Sequence, residues 1–470
     1  SRKLWPWMCK VQRIFGAVRL FASLLLPPIY FSGDAGTNDD LQANKRNYAG
    51  RLAQEKHAWR AFVRSLRPSS VPTGHGRGVV VVGGRDHGKA SDGPERTGGH
   101  GGRAYYTLDA LLGIAALRWT GCMLPVELWH DHEAIFLGAT GREVATVMGS
   151  VGGKVKLRDF HELPGGSDWQ GFQLITKAIL HSAFAEVLYL DADVVPLLNP
   201  SGFFTSPVYT HAGAVFWRDF EQVLYENPIW QVIGVRPTLM WDTDSSQLLI
   251  NRTRHWRPLA LCDYFNERGP YFYHWFLNGD AGLWHMAWLA LAASMQVIAA
   301  HPGKLGYLAA DGATFCGISH LQHWLPTAEI SSRHPPLAAF ANRGLRKFSV
   351  FPHDGDLRWT VLKRGLGGPI WKNSSPPMQT FPEGTGTHRC LCVGHGGTAF
   401  GCSDLAAEPD RSEMAGAVLN RLASLELDLL KLRDGILLVN GGHNPVSKAL
   451  RPDWWQAWAK FVGRRGDFEK

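Results

Sequence analysis

Residues 186–196 read Glu186-Val-Leu-Tyr-Leu-Asp191-Ala-Asp193-Val-Val-Pro196 and are the most informative segment of the chain. The four apolar residues after Glu186 are typical of a strand buried on both faces, and this strand ends in an Asp-x-Asp pair. In open α/β sheets, ligands bind beyond the carboxyl ends of the strands. Side chains alternate along a regular strand, so both carboxylates can face one cation only if the chain turns after Leu190. The segment therefore predicts a buried strand followed by a candidate metal site.

Strands and helices alternate upstream of this segment. The pattern predicts strands over 78–82, 124–129 and near Val155, and helices over 105–120, between 129 and 155, and over 173–184. The four consecutive valines of the first strand fit a strand covered on both faces. This order indicates an α/β fold with a mainly parallel, Rossmann-like sheet.

Both ends of the chain differ in composition from this region. Residues 14–31 are apolar behind a basic flank, which predicts a signal anchor, with a cleaved signal peptide or an amphipathic segment as alternatives. Apolar residues at helical spacing between 41 and 66 predict a helical stem that ends near Pro68. We therefore expect an anchor and stem over 1–75, a catalytic domain over 76–350 and a C-terminal extension over 351–470.

The C-terminal extension begins with a tract rich in Gly and Pro and continues with a predicted helix over 412–433. His388, Cys390, Cys392, His395 and Cys402 have a composition that suits zinc, but their spacing is not a common zinc pattern. Disulfides are the favoured interpretation if the domain lies in an oxidising lumen.

Composition limits the class of partner. The chain has 470 residues, of which 45% are apolar and 19% charged, so most of it is expected to fold. A net charge of +8 suits a phosphate-bearing donor or an anionic membrane surface. The sequence contains no nucleic-acid-binding motif, and we expect no nucleic-acid partner.

A phosphate-binding loop is one alternative interpretation. Residues 83–90, Gly-Gly-Arg-Asp-His-Gly-Lys-Ala, match G-x-x-x-x-G-K after the first strand. The match then fails, because Ala90 replaces the Ser or Thr whose hydroxyl reaches the metal. The glycines and Pro94 that follow also make a poor helix. The sequence therefore favours the Asp-x-Asp site over an NTPase.

Further blocks occur in a fixed order between residues 76 and 323. They include Gly76-Arg-Gly-Val-Val, Leu117-Arg118, Leu124-Pro125-Val-Glu127, Gly213-Ala-Val-Phe-Trp217, Asp244-Ser-Ser-Gln247, Gly279-Asp280, Phe315-Cys316-Gly317 and Gln322-His323. Together with the Asp-x-Asp segment, this ordered set resembles the fungal-type Golgi α-mannosyltransferases that extend mannan and O-linked mannose chains.

The resemblance implies a GT-A-type fold, a single α/β domain related to the nucleotide-binding half of doubly wound proteins. It also implies a GDP-mannose donor, Mn²⁺ (or Mg²⁺), retention of anomeric configuration and a glycan or glycoprotein acceptor. The implied location is the Golgi membrane, as a single-pass type II protein with a luminal catalytic domain.

Metal and donor contacts are assigned to four residues. We expect Asp193 and Asp191 to bind the cation, because Mg²⁺ and Mn²⁺ favour oxygen ligands, and Asp191 to contact the donor as well. His323 is a candidate third ligand, with a surface histidine as the alternative. Lys177 is expected to neutralise the donor diphosphate, unless it is a solvated surface lysine.

The reacting side of the sugar is assigned to Asp244 and Asp280. Either carboxylate can act as a nucleophile, stabilise an oxocarbenium-like transition state or hold acceptor hydroxyls. The alternative for Asp280 is to cap a helix that starts at Ala281. Gln247 is expected to bind a sugar hydroxyl or to be an ordinary polar strand residue.

Three motifs depart from the family. Ser246 stands where the family has a glycine in Asp/Glu-Ser-Gly-Gln, Ala341 stands where it often has a histidine before Asn-Arg, and the motif that begins at Gly279 is altered. Where the family has Gly-Asp-Lys-Asp/Glu-Thr-Phe, this chain has Gly279-Asp280-Ala-Gly-Leu-Trp284, so the lysine and the second acid are missing. The departure keeps two alternatives open. One is a catalytically degenerate sugar- or nucleotide-binding protein of the same fold, and the other is a retaining enzyme that uses a UDP-sugar.

Overall fold

The computed structural model describes part of the chain. The described residues are 38–68, 71–83, 104–130, 155–169, 171–269, 273, 276–277, 279–308, 314–325, 336–343, 359, 361–364, 402–404, 411–413 and 417–436. The predicted anchor over 14–31, the loop over 84–90, the helix expected between 131 and 154 and the cluster over 388–395 lie outside them.

Eight α-helices and fourteen strands are present in this part of the chain. The helices are α1 Asn38–Ser65, α2 Ala104–Trp119, α3 Gln173–His181, α4 Pro207–Ala212, α5 Ile229–Ile233, α6 Trp256–Glu267, α7 Ala281–Ala290 and α8 Ala417–Ile436. The strands are β1 Arg77–Val82, β2 Val126–His130, β3 Val155–Asp159, β4 Glu186–Asp191, β5 Val194–Pro196, β6 Ala214–Val223, β7 Met240–Asn251, β8 Gln296–Val297, β9 Gly303–Leu308, β10 Thr314–Trp324, β11 Leu337–Asn342, β12 Val361–Arg364, β13 Cys402–Asp404 and β14 Arg411–Glu413.

The first sheet has the strand order β3-β2-β1-β4-β7-β6-β8. Strands β3, β2, β1 and β4 are parallel neighbours, β7 is antiparallel to both β4 and β6, and β8 is parallel to β6. The order 3-2-1-4 is that of the nucleotide-binding half of doubly wound proteins. The expected α/β fold with a mainly parallel, Rossmann-like sheet is confirmed.

Both faces of this sheet are covered. Val79 and Val81 of β1 belong to the apolar core that includes α2, whereas Val80 and Val82 belong to the core that includes α3. Because successive strand residues point to opposite faces, four buried valines in a row require cover on both sides. The interpretation of the valine run is confirmed.

The second sheet was not predicted from the sequence. Its strands follow the order β14-β12-β9-β10-β11-β5, with β13 paired to β10, and each of these pairs is antiparallel. β4 of the first sheet ends at Asp191, and β5 of the second begins at Val194. The chain therefore passes from one sheet to the other at Ala192 and Asp193.

Helix α1, the predicted stem, packs on the body of the protein. The Trp59 indole Nε1 donates a hydrogen bond to the Val232 carbonyl oxygen at 2.9 Å, and the ring of Phe62 stacks on Tyr264 with centroids 4.6 Å apart. Leu52 and Trp59 lie in the same apolar core as α3. The predicted helix is confirmed. Among the described helices, none has the length and apolar character that crossing a membrane requires.

Helix α8 confirms the predicted amphipathic helix of the C-terminal extension. Its apolar residues Leu422, Leu425, Leu429 and Leu432 are buried in the core that contains α2. The domain boundaries at 75 and 350 stay predictions. Helices α1 and α8, which these boundaries place outside the catalytic domain, nevertheless complete its cores.

Candidate active site

The two acids of the Asp-x-Asp pair lie where the chain leaves the first sheet. β4 continues through Asp191, so the turn comes one residue later than the sequence analysis expected. Tyr189, two residues earlier on the same strand, donates its hydroxyl to Asp191 Oδ1. Burial raises the pKa of Tyr189 well above its ordinary value, and the Asp191 charge adds to the effect. Asp191 is therefore held by a phenol that stays protonated.

Residues 191–194, here called the acidic turn, are packed from two sides. Helix α2 approaches so closely that a Cβ atom on Gly113 would lie 2.8 Å from the Val194 carbonyl oxygen. From the other side, the Arg343 amide donates to the Asp193 carbonyl oxygen at 3.1 Å, extending the β5–β11 ladder. Asp193 is 6% exposed. These contacts fix the backbone that presents the second acid.

Strand β7 brings Asp244 to the same edge of the sheet. β7 runs antiparallel to β4 with Gln247 opposite Leu190, so the residues before Gln247 extend past the end of β4. Asp244 Oδ1 accepts the Ser246 amide at 3.0 Å, and Oδ2 accepts Gln322 Nε2 at 2.7 Å. Gln322 lies on β10, so both sheets hold this carboxylate.

Asp280 precedes α7 and is 3% exposed. Burial raises the pKa of its carboxyl to about 7; the Asp244 charge acts in the same direction, whereas the Ser245 hydroxyl, which donates to Oδ1 at 3.2 Å, opposes it. The helix starts at Ala281, as the capping alternative expected, but the Asp280 side chain makes no capping hydrogen bond. Its carboxyl therefore contacts Ser245 of β7 and lies near Trp284 of α7, without capping the helix.

The four carboxylates are electrostatic neighbours. The charges of Asp191, Asp193 and Asp280 all raise the pKa of the Tyr189 phenol, and the charge of Asp244 raises the pKa of Asp280. A charged cluster of this kind, partly desolvated at the carboxyl end of a buried strand, is typical of a functional site.

Comparisons with known proteins show that part of this chain is similar to mannosyltransferases. Residues 76–233 match the family described as “Mannosyltransferase putative”. The matched segment begins just before β1 and contains the whole acidic turn. The resemblance to α-mannosyltransferases is confirmed. Asp244 and Asp280 lie beyond this mannosyltransferase-family segment.

Two curated relatives are fungal enzymes. The α-1,2-mannosyltransferase MNN24 of Candida albicans is 29% identical over 221 residues, which cover 39% of this chain and 30% of the relative. The α-1,2-mannosyltransferase MNN2 of Saccharomyces cerevisiae is 25% identical over 200 residues, or 33% of each chain. The chain thus matches about a third of the length of these relatives. Among solved structures, the glycosyltransferase GlyE of Streptococcus pneumoniae is 13% identical over 48% of this chain and 45% of its own, with a TM-score of 0.31.

The acidic turn fits a hard divalent cation as a partial ligand set. Mg²⁺ commonly binds one or two protein carboxylates together with substrate phosphates and water. Within the part of the chain that the structure describes, no group of three or more His, Cys, Asp or Glu side chains is arranged to hold a metal. Asp191 and Asp193 supply two oxygen donors, and the remaining ligands would come from the donor and water.

His323 lies on β10 and is 6% exposed, so the surface interpretation is wrong. Its carbonyl oxygen accepts the Trp217 indole at 2.8 Å, which fixes its backbone beside the first sheet. Its role as a third metal ligand stays a prediction.

Lys177 lies in a different set of contacts from the one expected. Its Nζ donates to Asp263 Oδ2 at 2.8 Å and Glu267 Oε1 at 2.7 Å, both on α6. Burial alone would lower the pKa of Lys177, but attraction to these two carboxylates raises it. The side chain is buried rather than solvated, so the surface interpretation is wrong. The contacts favour a structural role, joining α3 to α6, over neutralisation of a diphosphate.

Three amide oxygens beside the carboxylates are buried and make no hydrogen bond within the described residues. They are Oε1 of Gln247, Oε1 of Gln322 and Oδ1 of Asn342. Gln247 donates to the Asp244 carbonyl oxygen at 3.4 Å, and Asn342 donates to the Ser246 hydroxyl. Buried acceptors are normally satisfied, and sugar hydroxyls are suitable donors. The set suits the binding of a polyhydroxylated ligand.

The altered motif after Asp280 has a packing explanation. A Cβ atom on Gly282 would lie 2.8 Å from Leu277 Cδ2 and 2.9 Å from Asp242 Oδ1. The family's second acid would therefore meet both an apolar side chain and another carboxylate at this position. The surrounding residues are adapted to the glycine.

Tyr189, Ser245 and Arg343 are site residues that were not predicted from the sequence. Tyr189 shares a strand face with Asp191, since side chains two apart point the same way. Such spacing is a usable signal for Tyr189. The contacts of Arg343 depend on the pairing of β5 with β11, which no local pattern indicates.

Proposed function

We propose that this protein is a metal-dependent glycosyltransferase that transfers mannose from GDP-mannose, with retention, to a glycan or glycoprotein acceptor. One observation supports the proposal above the others. The segment that matches the mannosyltransferase family contains β4 and the acidic turn that follows it. Asp244 and Asp280 lie at the same edge of the sheet as this turn. The segment that resembles the family thus lies at the same place as the acidic residues of the site.

The donor half of the proposed site is the edge formed by β1 and β4, where Val82 lies opposite Asp191. Asp191 and Asp193 would hold Mn²⁺ or Mg²⁺, and the bound cation would stabilise the negative charge of the departing diphosphate. Tyr189 keeps the Asp191 carboxylate oriented through its hydroxyl. The Arg343 amide holds the backbone of the acidic turn at Asp193.

The reacting half is the pair Asp244 and Asp280. In the reaction, the bond from the anomeric carbon to the diphosphate breaks and a bond to the acceptor oxygen forms. A front-face route passes the acceptor proton to the leaving phosphate, whereas a double displacement needs one carboxylate as nucleophile. Gln322 holds Asp244 in place, and Asp280, with a pKa of about 7, can retain or release a proton near neutrality.

The proposal includes a location in the secretory pathway, as a Golgi protein with a luminal catalytic domain. The support is the basic and apolar sequence over residues 2–31 together with the resemblance to Golgi enzymes. Attachment to the membrane through this segment belongs to the same proposal. Immunolocalisation of the full chain with a protease-protection assay on sealed vesicles tests it, and a protease-sensitive catalytic domain outside the vesicles would contradict it.

Donor turnover by the purified chain is the decisive test. GDP-mannose is compared with a panel of UDP-sugars, with Mn²⁺ and with EDTA, in the presence of mannose-terminated acceptors. We expect metal-dependent turnover of GDP-mannose that falls roughly 100-fold or more in Asp193→Asn, because a ligand of the charge-stabilising cation is lost. The control Glu226→Gln changes an exposed acid on the β6–α5 connection and should leave the rate unchanged.

Two other outcomes are informative. Turnover of a UDP-sugar instead would keep the reaction class and exclude the mannose donor. The second candidate function is a degenerate binding protein, which is favoured by the missing lysine and acid after Asp280. Mn²⁺-dependent binding of GDP without turnover of any donor, across the acceptor panel, would support that candidate and contradict the enzyme.

A further inference from the structure

A buried ion pair connects the C-terminal helix α8 to the acidic turn. Arg343 Nη1 forms a salt bridge with Glu426 Oε1, and both side chains are buried, at 6% and 0% exposed. Arg343 is also the residue whose amide donates to the Asp193 carbonyl oxygen. Two bonds therefore lead from a carboxylate on α8 to the backbone of the second metal-binding acid.

The other oxygen of Glu426 is also fixed. Glu426 Oε2 accepts the Trp359 amide at 2.6 Å, and the Trp359 indole donates to Ser319 Oγ of β10 at 2.8 Å. The Arg343 guanidinium lies over the Trp359 ring, 5.6 Å from its centroid. The carboxylate thus joins α8, the second sheet and the residue that follows β11.

The position of Glu426 on its helix is unusual. It lies four residues after Leu422 and three before Leu429, within the stripe that α8 buries in the core. A charge at such a position is expensive to bury, and a leucine there would pack as well as its neighbours. A buried ion pair is therefore weak evidence for a purely stabilising role.

We propose that Glu426 is a positioning residue of the active site, which holds Arg343 so that its amide keeps the acidic turn in the geometry needed to bind the cation and donor. The effect on donor binding depends on the proposed function, whereas the effect on the turn does not. Glu426 touches neither donor nor metal in this role; it acts through Arg343.

The test measures hydrogen exchange in the full chain, followed by mass spectrometry of peptides that cover 190–197 and 339–343. In Glu426→Gln we expect the amides of the acidic turn and of Arg343 to exchange about tenfold faster, while those of β1 are unchanged. Titration with GDP in Mn²⁺ should show about tenfold weaker binding.

A matched control separates positioning from general stability. Leu429→Ala removes a fully buried side chain one turn further along α8, so it should lower Tm without faster exchange confined to the turn. Equal acceleration of the turn in Leu429→Ala and Glu426→Gln would overturn the proposal, as would full protection in Glu426→Gln.

The double variant Arg343→Met with Glu426→Leu covers the case in which Glu426→Gln does not fold, because it leaves no unpaired buried charge. We expect its Tm to fall only by the loss of the acceptor for the Trp359 amide, while its turn still exchanges fast. If both the Tm and the exchange rates of the acidic turn match those of the unaltered protein, packing alone holds the turn and the proposal is overturned. If the unaltered protein fails to bind GDP with Mn²⁺, the proposed function fails, but the exchange result still decides the role of Glu426.

Discussion

Asp280 combines full burial with a pKa near neutrality, a combination that makes the stability of the protein depend on pH. Its carboxyl titrates at about 7 in the folded chain, above an ordinary value of 3.8. The folded state therefore binds this proton more tightly than the unfolded state. The contribution of Asp280 is most favourable below pH 4 and is lost as the pH rises through about 7.

We accordingly predict that Asp280→Asn reduces the loss of unfolding free energy between pH 5 and pH 8. One pH unit between the unfolded and folded pKa values changes the unfolding free energy by about 1.4 kcal/mol. The two units between pH 5 and the folded pKa of about 7 therefore correspond to a loss of roughly 3 kcal/mol. Denaturant unfolding in EDTA at each pH measures the difference. The exposed control Glu226→Gln should follow the unaltered protein, and an unchanged slope in Asp280→Asn would contradict the assignment.

At the scale of the element, helix α2 packs closely against the acidic turn. Gly113 lies where the helix meets the Val194 carbonyl oxygen, and a methyl group there would lie 2.8 Å from it. Alanine favours a helix by up to about 1 kcal/mol over glycine, but overpacking typically costs about 1 to 3 kcal/mol. The backbone oxygen cannot rotate away as a flexible side chain can.

For Gly113→Ala we therefore predict a net loss of stability together with weaker binding of GDP in Mn²⁺. Thermal unfolding and calorimetric titration of the same samples measure the two effects. Gly50→Ala in α1 is the control, because a Cβ atom at Gly50 has no neighbour within 4 Å. It should gain up to about 1 kcal/mol and bind normally. Unimpaired binding by Gly113→Ala would show that the turn tolerates displacement.

The elements differ in how far the sequence predicts them. Periodicity placed α1, α2, β1 and β4 within a few residues, because each buries a continuous or regularly spaced apolar surface. It gave no sign of the second sheet. Several of its pairings join strands that are far apart in the chain, such as β5 with β11 and β10 with β13, and β5 has three residues. Pairing of this kind depends on tertiary contacts that local patterns do not contain.

The same division applies to the site. Asp191 and Asp193 were identified because the acids follow a buried strand. Lys177 was assigned to the donor because the sequence does not show that Asp263 and Glu267 face it from α6. Long-range ion pairs decide between a ligand contact and a structural contact, and a single sequence does not reveal them.

At the scale of the whole molecule, the candidate active site lies between two sheets that share one continuous chain. Asp191 belongs to the first sheet, whereas Asp193 precedes the strand that enters the second. Gln322 and Asn342 reach back from the second sheet to Asp244 and Ser246 of the first. The site is complete only when both sheets are in place.

The packing of α1 has a consequence for the chain once it is cut. While residues 66–76 are intact, this short connection keeps α1 next to the surface on which it packs. It therefore sets a high effective concentration of α1 at that surface. We predict that a protease nick there leaves the fragments together, held by Trp59 and its neighbours, as one peak in gel filtration and two bands under denaturing conditions.

Nicked Trp59→Ala is the comparison, since it loses both a buried ring and its hydrogen bond to Val232. It should separate into two peaks on dilution, whereas immediate separation of the nicked unaltered protein would contradict the prediction. Cleavage converts a concentration-independent fold into a bimolecular equilibrium, so the two fragments would stay together when concentrated and separate slowly when dilute.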